Sequence, residues 1–131
     1  MKSLFLLFAL LFAVALSSSS AVVSKASNAA RKQKAVAQFN EPVRLQGVLL
    51  KGEYLFVHDD AAMRRGEACT FVYKGDAEIA GKLVVSFHCT PVQRQKVSSF
   101  SVRTEQVSPG INELREFQFS GEAEAHGVPA K

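Results

Sequence analysis

Glu53-Tyr54-Leu55-Phe56-Val57-His58, Ala68-Cys69-Thr70-Phe71-Val72-Tyr73-Lys74 and Leu83-Val84-Val85-Ser86-Phe87-His88-Cys89 are three closely spaced apolar runs that hold both cysteines of the chain. β-Branched and aromatic residues dominate each run, and Asp, Gly and Lys punctuate the gaps. Such residues suit a pleated, half-buried surface, so this stretch predicts a small antiparallel sheet.

Outward from this stretch the same rhythm continues. Residues 43–50 read as a strand, and Lys51-Gly52 as its turn into 53–58, which sets Leu49 opposite Tyr54 and Leu45 opposite His58. Asp59-Asp60-Ala61-Ala62-Met63-Arg64-Arg65-Gly66 breaks the alternation. A carboxylate before helix formers, with arginines and a glycine at the far end, predicts a capped helical turn. Residues 97–105 and 114–121 form a last hairpin around Ser108-Pro109-Gly110, with Phe100 and Val102 able to face Phe117 and Phe119. The expected fold is all-β, a small antiparallel sandwich or partly open barrel of about six strands.

The N-terminus reads as an export signal. Lys2 precedes an uncharged apolar run over 4–16, followed by four serines and Ala21, and that run is shorter than the roughly 20 apolar residues a membrane helix needs. Residues 1–21 are therefore expected to be a signal peptide, leaving no membrane span after its removal. The chain then belongs in the periplasm or outside the cell. Residues 22–41, rich in Ala, Ser, Lys and Gln, read as a flexible leader with helical potential over 29–37. The β domain is assigned to 42–121, beginning at the Glu41-Pro42 boundary, and 122–131 to a loosely ordered tail.

Removal of residues 1–21 leaves 15 basic against 12 acidic residues, a net charge of +3. Four of the basic groups, Lys25, Arg31, Lys32 and Lys34, lie in the leader, so the folded body is nearly neutral. A nucleic-acid binder would cluster basic residues with aromatics on that body, and this chain does not.

In an oxidising compartment two cysteines predict one disulfide, Cys69 to Cys89. Pairing Phe71 with Phe87 places the two opposite each other, and the Pro91 ring, which has no N–H to donate, ends the strand. Neither a C-x-x-C redox motif nor a four-ligand zinc spacing occurs. His58 beside Asp59 and Asp60, completed by His88 or His126, is the candidate metal set. Each member also has an ordinary explanation: helix capping for the aspartates, a solvent-facing position for His88, a solvated tail for His126.

No catalytic constellation, phosphate-binding loop or resident cofactor emerges from these residues. The expected function is therefore a non-enzymatic binding or structural module for an unknown protein or glycan partner. The alternative is a metal-binding protein or metal-dependent enzyme using His58, Asp59 and Asp60 with His88 or His126.

Overall fold

The computed structural model describes residues 31–131. The signal-peptide assignment and residues 22–30 of the expected leader lie outside the described residues. Eight strands form one curled, mostly antiparallel sheet, a half-barrel: β1 Lys32–Leu45, β2 Val48–Asp59, β3 Thr70–Lys74, β4 Leu83–Phe87, β5 Thr90–Gln93, β6 Ser101–Ser108, β7 Ile111–Gln118 and β8 Glu124–Gly127. The sheet order is β4-β3-β2-β1-β7-β8-β5, and β6 pairs with β7. Among the described residues no helix is long and apolar enough to cross a membrane.

The leader assignment is corrected for residues 32–41, which begin the longest strand. Gln33, Ala35, Ala37 and Phe39 turn inward and Lys34, Val36 and Gln38 outward, a set weak for a helix stripe and sufficient for a strand once β2 supplies the ladder. Lys32 pairs with Asp59 and Phe39 with Gly52. The Glu41-Pro42 boundary is instead a bulge, since three residues of β1 oppose Lys51 alone before pairing resumes at Val43 and Leu50. Gly52, with φ +96°, lies in that irregularity and not in a turn. The hairpin turn is Gln46-Gly47, both at positive φ, closed by Leu45 opposite Val48.

The helical turn forms as expected. Helix α1, Asp60–Arg64, is capped by Asp59, whose carboxylate accepts from the Ala61 and Ala62 N–H groups. The register of β3 on β4 is one residue off the expected one: Phe71 faces Ser86, and Thr70 faces Phe87. Thr70 and Val72 accordingly turn inward and are fully buried, while Phe71 and Tyr73 are half-buried.

Pro91 does not end the sheet but lies within β5, an edge strand, where a missing N–H is tolerated. The tail is also corrected. Residues 124–127 form β8, antiparallel to both β5 and β7, with Ala125 and His126 buried. Four short residues carry no strand signal by themselves, and the two neighbouring strands supply it.

Inside the curl, Phe56 and Phe117 are the largest fully buried side chains. Their ring centroids lie 5.5 Å apart, with Phe100, Phe87, Phe119 and Phe39 within 6.3 Å of one or the other. Tilted and edge-on contacts of this kind add to the burial of apolar area. The β6–β7 hairpin turns at Pro109-Gly110 and brings Phe100 and Val102 onto Phe117 and Phe119 as expected.

Candidate metal centre

At one end of the phenylalanine core, four polar side chains from four parts of the chain converge. His58 comes from the last turns of β2, Cys69 from just before β3, Cys89 from the link between β4 and β5, and His126 from β8. Cys69, Cys89 and His58 have no exposed surface, and His126 is 2% exposed. The ligand atoms of His58, Cys69 and Cys89 all lie within 4.8 Å of one another. His126 Nδ1 is 3.5 Å from Cys89 Sγ, and the two imidazole rings approach to 4.1 Å between centroids.

The expected partnership of Cys69 and Cys89 is present in space but not as a bond. Their sulfurs are 3.0 Å apart and both are free thiols. They meet by a route other than direct opposition. The ladder of β4 stops at Phe87, whose carbonyl accepts from the Cys69 N–H, and the chain then turns so that the Cys89 N–H donates to Cys69 Sγ.

The wall of the site is charged. His58 Nδ1 comes within 3.1 Å of Asp60 Oδ1, yet without the alignment of a hydrogen bond, so both of its ring nitrogens lack a hydrogen-bond partner. Asp60 in turn meets Arg31, and Arg31 also pairs with Glu122 at 2.6 Å. This bridge ties the start of β1 to the segment leading into β8.

Burial is the leading cause of the shifts of His58, His126 and Cys89. It lowers His58 below the ordinary histidine value, against the opposing attraction of Asp60. His126 is pushed down to about 4, first by burial and then by the neighbouring His58. The Cys89 thiol is pushed up to about 12, by burial and then by its hydrogen bond with Cys69.

The sequence-derived metal set is therefore rearranged. His58 and His126 come together, and the assignment of His126 to a solvated tail is corrected. Asp59 is used by the helix cap. Asp60 lies with Oδ1 3.1 Å from His58 Nδ1, outside the group of converging donor atoms, and His88 is exposed, with Nδ1 2.8 Å from the Glu67 carbonyl oxygen. Cys69 and Cys89, considered only as a disulfide, take the places of Asp59 and His88. The signal for them was the spacing Cys-x19-Cys flanked by His58 and His126, which has meaning only once β8 is known to return.

A second feature is an open cleft of about 590 Å³ lined by Gln93, Arg94, Gln95, Lys96, Val97, Arg103 and Gln118. Arg94 makes two hydrogen bonds to Glu116, and Arg103 lies 3.7 Å from the same carboxylate. Gln118 donates to the Gln95 and Glu122 carbonyls, which fixes the floor.

Compared with known proteins, the chain matches no family model, no curated protein and no solved structure.

Proposed function

We propose that this chain is an exported, non-enzymatic β module of the periplasm or extracellular space that binds an acidic glycan along the cleft formed by 93–97, Arg103 and Gln118. The observation that carries this is the division of labour between surface and interior. Arg94 and Arg103 are held against Glu116, and beside them the cleft presents Lys96 with the side-chain amides of Gln93 and Gln95, which suit a carboxylate and sugar hydroxyls. The perturbed histidines and thiol, which would be needed for acid–base or nucleophilic work, are sealed in the core. Export rests on the basic start, short apolar run and small residues of the first 21 positions.

In that compartment Cys69 and Cys89 close into a disulfide. The closed loop of about 20 residues would stabilise the fold by roughly 3 kcal/mol in the chain-entropy model.

The test is retention of the purified protein on immobilised polygalacturonate compared with neutral dextran. Selective retention that weakens with salt, and that drops in Lys96→Glu and Arg103→Glu, is the expected result. Equal retention on both resins would sink the reading. Capture of a protein alone by crosslinking in the native compartment would replace the glycan with a protein partner.

A further inference from the structure

We propose that His58, Cys69, Cys89 and His126 form a buried, four-coordinate zinc(II) site in the reduced protein, and that zinc and the Cys69–Cys89 disulfide exclude each other. The site is independent of the surface cleft and draws on none of its residues.

The donor set comes first. Two thiols and two imidazoles are the S2N2 combination that selects a tetrahedral borderline ion, and a position closed to the surface suits a structural ion in place of a catalytic one. Charge makes the same selection. Two thiolates, two neutral imidazoles and Zn2+ sum to zero, which a fully buried cluster tolerates; a monovalent ion would leave an uncompensated negative charge in the core.

His58 supplies the independent observation. It has no exposed surface, neither of its ring nitrogens has a hydrogen-bond partner, and one of them looks onto Asp60 at 3.1 Å. A metal-bound histidine commonly has its far nitrogen against a carboxylate, which sets the tautomer and the ring orientation. With Nδ1 turned to Asp60, Nε2 is left for the ion. An imidazole with no such task is costly to bury in this way, since an unpaired polar group loses its water without compensation.

The sulfur geometry gives the exclusion. At 3.0 Å the two sulfurs lie between two endpoints. Two zinc–sulfur bonds at a tetrahedral angle hold sulfurs about 3.8 Å apart, and a disulfide holds them at about 2.0 Å. Both endpoints are within about 1 Å of movement, and they cannot be reached together. Binding the ion releases the two thiol protons. Forming the bridge removes the same two protons and two electrons. A protein disulfide of the thiol–disulfide exchange class accepts the electrons and becomes a dithiol.

The deciding experiment is titration of the phosphine-reduced protein with cobalt(II), the spectroscopic stand-in, followed by zinc(II). A thiolate-to-cobalt charge-transfer band saturating at one ion per chain, bleached by zinc, with a higher Tm in the zinc form, is the expected outcome. Wild-type protein oxidised to the disulfide provides the folded control with unchanged sequence, and it should bind neither ion. His126→Ala should weaken zinc at least tenfold, while Asp60→Asn weakens it less and keeps the band. Absence of the band in folded reduced protein, equal binding by the oxidised form, or a band unaffected in Cys69→Ser would each overturn the proposal. Saturable copper(I) binding with no response to zinc would overturn the choice of ion.

Discussion

Two parts of the same interior are equally dry and chemically opposite. Around Phe56 and Phe117 the curl of the sheet is filled by aromatic rings in tilted and edge-on contact. One ring further on, where His126 stacks on Phe117 at 5.1 Å, the filling changes to imidazole and thiol. The aromatic part repays its burial directly, because apolar area leaves water. The polar part does not, since His58 is buried with both nitrogens unpartnered. The contrast separates what holds the half-barrel together from what the half-barrel holds.

The largest expected effect lies in the aromatic part. Phe117→Ala should cost about 3 to 5 kcal/mol, because a fully buried ring leaves a cavity that the surrounding sheet fills only partly. Urea denaturation at equilibrium measures it, and a loss under 1 kcal/mol would mean that Phe117 is not the centre of the core.

Reduction of the oxidised protein should cost about 3 kcal/mol, by the loop that the bridge closes. The check is a Tm comparison with and without reductant under metal-free conditions. A Tm that rises on reduction would show that the bridge is strained.

Asp59→Ala should cost about 1 kcal/mol, since the Ala61 and Ala62 N–H groups lose their acceptor. Because α1 also carries Asp60, the same variant should loosen zinc as well as lower Tm, and an unchanged affinity would uncouple the helix from the site.

The smallest effect on stability sharpens the comparison most. His58→Leu combined with His126→Leu should change metal-free stability by about 1 kcal/mol or less, or increase it, because the two unpartnered nitrogens of His58 and the one weak sulfur contact of His126 give way to apolar groups of similar volume. The pair should nonetheless abolish zinc binding. A loss as large as that of Phe117→Ala would place the histidines with the aromatic core as structural elements.

Much of the fold is legible residue by residue. The β-branched and aromatic run of 53–58, the Asp59 cap and the Pro109-Gly110 turn each act over a few neighbouring positions, and each forms where the local pattern puts it. The Cys69–Cys89 meeting was legible too, although by the wrong route: Phe71 pairs with Ser86, and the link after Phe87 brings Cys89 round. Elsewhere local pattern misleads. Gly52 carries a turn signal but sits at a bulge, while Gln46-Gly47, where Gln46 has a φ of +49°, makes the turn.

The sequence by itself determines the class of this protein, because strand propensity, capping and turn chemistry are properties of short segments. Only the tertiary structure decides that 32–41 is a strand, that Pro91 sits on an edge, and that His126 is buried. Alanine-rich and four-residue segments are given their conformation by the strands on either side of them. The candidate metal centre belongs wholly to this second kind. His58 and His126 lie 68 positions apart, and only β8 folding back between β5 and β7 brings their rings to 4.1 Å.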